Sequence, residues 1–160
     1  MKRFYLTKAL FLIMIVGMMS TSCKKDDTTD DNADNNNTAA SGITIKLKID
    51  NDAEIVYTKG SAMDMGGKLI IGGNNDDSDI QFSIDNTIAK GTYTQGFLIS
   101  HGKNGKAIFT TATNATSYTL TVTEHNTSAK HIKATYQVDY KDNNTQAPHV
   151  AVGSFDVTYK

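Results

Sequence analysis

Between Ile132 and Tyr140 every second residue is apolar: Ile132, Ala134, Tyr136, Val138 and Tyr140 alternate with Lys133, Thr135, Gln137 and Asp139. Successive side chains of a β-strand point to opposite faces, so this run has one apolar face and one polar face. Ile43, Ile45, Leu47 and Ile49 repeat the pattern, as do Ile80, Phe82 and Ile84, and Tyr118, Leu120 and Val122. No helical stripe longer than a turn accompanies them. The last run changes phase: Val150 and Val152 are even, whereas Phe155, Val157 and Tyr159 are odd. One inserted residue produces such a flip, and the spacing predicts a β-bulge at Gly153-Ser154. Weaker strands are expected over 54–58, 68–71, 92–100 and 107–111.

Turn formers separate the runs, at Asn51-Asp52, Gly66-Gly67, Gly72 to Asp77, Asp85-Asn86, Gly102 to Gly105, Glu124 to Thr127 and Asp142 to Thr145. Gly, Asn and Asp accept the positive φ that tight hairpins require. Roughly eight to ten strands at this spacing predict an all-β fold, an antiparallel β-sandwich, with a small up-and-down or Greek-key barrel as the alternative. The one-sided polarity excludes a parallel sheet buried on both faces.

The N-terminal segment follows a different logic. Met1–Lys8 carries Lys2, Arg3 and Lys8 and no acidic residue, Ala9–Met19 is an apolar run, and Ser20, Thr21 and Ser22 are small. That run is shorter than the roughly 20 residues a spanning helix needs. The layout is that of a secretory signal over residues 1–22. With Cys23 following at once, it resembles bacterial lipoproteins, in which such a cysteine is acylated and becomes the mature N-terminus. The residue three before the cysteine is usually leucine; here it is Ser20, a looser box similar to those of Bacteroidetes lipoproteins. Lys24, Lys25, Asp26 and Asp27 are similar to the lysine-plus-acidic signal that sends such lipoproteins to the outer face of the outer membrane. The resemblance implies a lipid anchor in the outer membrane and exposure at the cell surface. Each buried acyl methylene is worth about 0.8 kcal/mol, so two or more chains anchor a protein stably without a spanning helix.

Thr28–Ser41 is nearly free of apolar side chains and reads as a flexible linker. Residues 24–41 would reach about 60 Å fully extended. The domain organisation expected is therefore a signal over 1–22, a lipidated Cys23 and disordered tether over 23–41, and one β-sandwich domain over 42–160. Gly91-Thr92-Tyr93, the Tyr118–His125 run with Ala134-Thr135-Tyr136, and Gly153-Ser154-Phe155-Asp156-Val157 also resemble small Bacteroidetes lipoproteins with one β-rich domain of unknown function. That resemblance implies a fold and a location, not an activity.

Charge narrows the partners. The chain has a net charge of −1, and removing Lys2, Arg3 and Lys8 with the signal takes it to −4. Arg3 is its only arginine, so the mature protein lacks the fork that reads phosphates and guanine edges. Nucleic acid is not an expected partner. The single cysteine leaves the domain without an internal disulfide.

Four groups bear on chemistry. Asp76, Asp77 and Asp79 lie in an oxygen-rich stretch that is a weak calcium candidate, because the spaced loop with its glycine and distal glutamate is missing. His101, His125, His131 and His149 show no metal-ligand spacing and read as exposed loop histidines. No Gly-x-Ser-x-Gly elbow is present, and the only thiol is assigned to lipid. Among the tyrosines most fall in phase with the core; Tyr93, beside Gly91 and Gly96, is the least committed and is the weak ligand-binding candidate. No cofactor is expected. The expected function is non-catalytic binding of a glycan, a protein or an envelope component by a lipid-anchored surface domain. A hydrolase and an accessory subunit without its own ligand are the alternatives.

Overall fold

The computed structural model of the chain describes residues 42–160. The proposed signal, Cys23, Lys24–Asp27 and the tether lie outside the described residues. The alternating runs become strands: β1 (Ile43–Ile49), β2 (Ile55–Tyr57), β3 (Lys59–Met65), β4 (Lys68–Asn74), β5 (Ser78–Asp85), β6 (Gly91–Tyr93), β7 (Leu98–Lys103), β8 (Lys106–Thr110), β9 (Ala115–Asn126), β10 (His131–Lys141) and β11 (Pro148–Thr158). One sheet has the order β2-β1-β11-β10-β9-β6 and the other β3-β4-β5-β7-β8. All pairings are antiparallel, and the fold is a β-sandwich.

The described residues hold eleven strands rather than eight to ten. Two causes account for the difference. The stretch expected over 92–100 is divided, with Gly96 at φ 83° between β6 in one sheet and β7 in the other. The β3 edge strand was not legible, because only Ala62 of its seven residues is buried. The Gly66-Gly67 turn adopts φ of 60° and 87°, the primed geometry that joins β3 to β4. Gly72 and Gly73 belong to β4 instead of a turn.

The core follows the alternation. All five apolar residues of the β10 run are buried, together with Ile43, Ile45 and Leu47 of β1 and Ile80, Phe82 and Ile84 of β5. Phe82 lies 5.1 Å from Tyr136 and 4.9 Å from Phe155, joining the two sheets through aromatic contacts. A buried hydrogen bond of 3.0 Å between the Tyr57 and Ser78 hydroxyls makes a second link between them.

The bulge expected at Gly153-Ser154 is absent: β11 pairs with β1 and β10 in unbroken register across it. Val150 and Val152 face outward, 41% and 40% exposed, and the inward positions before Phe155 are Ala151 and Gly153. Large residues opposite explain these small ones. Tyr136 pairs directly with Gly153, and its hydroxyl donates to the Lys46 carbonyl at 2.7 Å. The irregularities lie in β9 instead, where the register with β10 shifts between Lys133 and Ala134 and between Asp139 and Tyr140. Thr123 and Thr116 are the extra residues. Each donates its hydroxyl to the β10 carbonyl at the slip, Lys133 and Asp139, at 3.2 Å.

The first and last described strands meet: Thr158 N donates to Gly42 O at 3.0 Å. Beyond β11, Lys160 lies along β3, donating to Ala62 O at 3.1 Å and accepting from Asp64 N at 3.0 Å.

A Cβ at position 153 would collide with the Lys46 carbonyl and the Tyr136 ring. Gly153→Ala is expected to cost about 1–3 kcal/mol by overpacking. Tyr136→Phe, which removes only the hydrogen bond, should cost about 1 kcal/mol. Urea titration of both variants checks this, and a Gly153→Ala midpoint equal to wild type contradicts the packing described.

Candidate functional site

The polar halves of β1, β11, β10 and β9 come together on the outer face of the six-stranded sheet. Because these strands are neighbours in register, residues far apart in sequence form straight rows across it. One row reads Lys46, Ser154, Thr135, Thr121 and Thr92, each opposite the next on adjacent strands. Its four hydroxyl residues span about 14 Å at the usual strand spacing of about 4.8 Å. Thr92 and Thr121 hydrogen-bond each other at 3.1 Å.

Two residues along the strands runs a charged row of Asp156, Lys133 and Glu124. Lys133 Nζ lies 3.2 Å from Asp156 and 3.9 Å from Glu124. His131 bridges the same carboxylates, with Nε2 2.7 Å from Asp156 and Nδ1 3.4 Å from Glu124. Partial burial pushes the Asp156 carboxyl up, but hydrogen bonds and charge from His131 and Lys133 outweigh it and hold the group below the usual carboxylate range.

Between the rows lies an open groove of about 370 Å³, lined by Lys46, Thr123, Lys133, Thr135, Ser154 and Asp156 together with Thr44. The β9 bulge contributes here. It places Thr123 on the same exposed side as Glu124, where strict alternation would have turned one of them inward. Lys46 reaches Glu54 at 3.3 Å, so the cations and anions around the groove pair with one another.

The residues singled out from sequence lie elsewhere. Asp76 and Asp77 are exposed at the β4–β5 tip, and Asp79 is on β5 opposite Gly102. The Asn75 carboxamide organises the tip, accepting from Asp77 N at 3.1 Å, Ser78 N at 2.7 Å and the Ser78 hydroxyl at 3.0 Å. Among the described residues no three His, Cys, Asp or Glu side chains form a metal-holding group. Tyr93 is not an open platform. It is half-buried against the core, and its hydroxyl donates to Ala89 O at 2.9 Å.

The histidines are not exposed loop residues; all four sit on strands. His125 bridges Ile88 O at 2.7 Å and the Tyr159 hydroxyl at 3.0 Å. His149 reaches Asp50 at 2.6 Å and stacks on Tyr140. Asp50 also accepts from Val150 N, the main reason its carboxyl is held below the ordinary range.

His101 is 2% exposed, with Nδ1 2.8 Å from Asp79 O. A carbonyl only accepts, so Nδ1 carries the proton, and the buried Nε2 has no hydrogen-bond partner. Burial lowers the His101 pKa more than the Asp79 carbonyl and charge raise it, and Lys103 adds to the lowering. The folded state thus favours neutral imidazole. This contribution is complete above the ordinary histidine value of about 6.5 and is lost as pH falls from there toward the lower folded value. His101→Phe should therefore flatten the fall in stability below about pH 6.5 relative to wild type. Urea midpoints of both proteins between pH 7.5 and pH 5 read the difference, and parallel curves would contradict it.

No protein-family model matches the chain, and no curated protein matches it.

Proposed function

We propose that this chain is a lipoprotein anchored in the outer membrane through Cys23 and displayed at the cell surface, where its sandwich holds a ligand without transforming it. The anchor rests on the signal-like leader, the cysteine at its end and the Lys24–Asp27 run. The observation that carries the binding reading is the groove on the outer face of the six-stranded sheet, where four strands bring hydroxyls beside the paired Lys133 and Asp156 side chains. Ligand sites carry a few placed polar groups, and this face offers such groups around a shallow, open groove.

A hydrolase reading would draw on His131, which sits beside two carboxylates. Its Nε2 is hydrogen-bonded to Asp156 and its Nδ1 lies 3.4 Å from Glu124, and among the described residues no serine or threonine hydroxyl hydrogen-bonds to either nitrogen, as an activated nucleophile would. Binding is therefore the reading the geometry supports best.

Two experiments test the location. Cys23→Ser should move the protein from the membrane pellet to the soluble fraction; pelleting that persists at high salt contradicts the anchor. Replacing Lys24–Asp27 with alanines should reduce digestion by protease added to whole cells, and undiminished digestion removes the surface signal.

A further inference from the structure

We infer that the groove takes a segment of uncharged polysaccharide lying across the strands, from Lys46 on β1 to Thr123 on β9. The inference rests on the reading of this face as the ligand surface and names the ligand class.

The groups lining the groove select the chemistry. The floor is made of hydroxyls: Ser154 and Thr135 each offer one donor and two acceptor lone pairs, and Thr123, whose hydroxyl proton goes to the Lys133 carbonyl, offers acceptor capacity. A sugar hydroxyl has the same dual capacity, so either partner can donate at Ser154 and Thr135. On the rim, Lys46 and Lys133 only donate and Asp156 only accepts, so a polyol finds both kinds of partner within one groove.

Charge argues against ionic ligands. Lys133 already faces Asp156 and Glu124, and Lys46 faces Glu54. An anionic polymer would compete with three carboxylates for those cations, without an arginine fork to hold it. A cationic ligand would meet two ammonium groups.

Shape argues against a peptide. An added peptide strand pairs with a sheet edge, where backbone donors and acceptors are free. The middle of this groove lies on β11 and β10, whose backbones are paired on both sides. An apolar protein surface would strand the floor hydroxyls without partners. For a sugar ring, the threonine methyls and the lysine stems supply apolar contact. From β1 to β9 the groove runs about 14 Å at ordinary strand spacing, which suits several linked rings better than one.

The test is affinity electrophoresis of the full-length protein, purified in detergent, through native gels containing mannan, β-glucan or xylan, with polygalacturonate as the anionic comparison. Wild type should be retarded by at least one uncharged polymer. The double variant Thr135→Val, Ser154→Ala preserves side-chain size closely and removes two floor hydroxyls; it should weaken that retardation at least tenfold at an unchanged melting temperature. Should it melt early, Thr135→Ser, which keeps the hydroxyl, must retain binding while Thr135→Val alone loses it. Retardation by polygalacturonate alone, by no polymer, or equally in wild type and the double variant would overturn the inference. Those outcomes leave the anchoring and display reading intact, since membrane pelleting and whole-cell digestion report on it independently.

Discussion

Tyr136 lies across Gly153, and the register of the six-stranded sheet depends on that contact. The missing side chain at position 153 makes room for the ring, and the ring's hydroxyl reaches past β11 to the Lys46 carbonyl on β1. One side chain thereby ties three strands together. On the inner side the same ring meets Phe82 of the opposite sheet. Burial also raises the pKa of this phenol, so it stays a hydroxyl donor. A slip of one residue turns every side chain of a strand to the other face. The contact that organises the core therefore also sets which polar residues meet on the outside. Lys46, Ser154 and Thr135 line up because Leu47, Gly153 and Tyr136 do.

Much of the sandwich is visible in the alternation of β1, β5 and β10, whose inner residues other than Ser78 are all large or apolar. The alternation misleads where volume overrides polarity. Val150 and Val152 look like core residues, yet they face outward, because Ala151 and Gly153 are the small partners that Val138 and Tyr136 require. A phase flip inferred from apolar residues alone cannot see this. The real flips, at Thr116 and Thr123, leave no apolar signature, because the inward residue beyond each, Ala115 or His125, is small or polar. Strand β3 escapes notice for a similar reason, since a single inward alanine carries no period.

The candidate groove was less legible than the fold. Each of its residues reads as the solvent side of some strand, and nothing local distinguishes Thr135 from Thr119. The site exists only once Thr44, Lys46, Ser154, Asp156, Lys133 and Thr135 are brought together by the pairing of the first strand with the last. The histidines show the converse. Their spacing suggested exposed loop residues, whereas the fold uses His101 and His125 to satisfy carbonyls near the core and His131 and His149 to pair with carboxylates. Among the described residues, the carboxylates that cluster in sequence, Asp76, Asp77 and Asp79, join no group of three His, Cys, Asp or Glu side chains placed to hold a metal. Those that gather in space, Glu124 and Asp156, are 32 positions apart in the chain.

The meeting of Gly42 with Thr158 has a mechanical side. Force transmitted through the chain ahead of Gly42 enters the domain at the end of β1, which is flanked by β11 over seven residue pairs, Ile43 to Ile49. A tug along the strand axis loads those hydrogen bonds together, in shear, so none can yield before its neighbours. The groove lies on the same β1–β11–β10 platform. Under the proposed anchoring and binding, drag on a ligand would thus pass through β11 and β1 to the chain ahead of Gly42, sparing the short β2 and β6 margins.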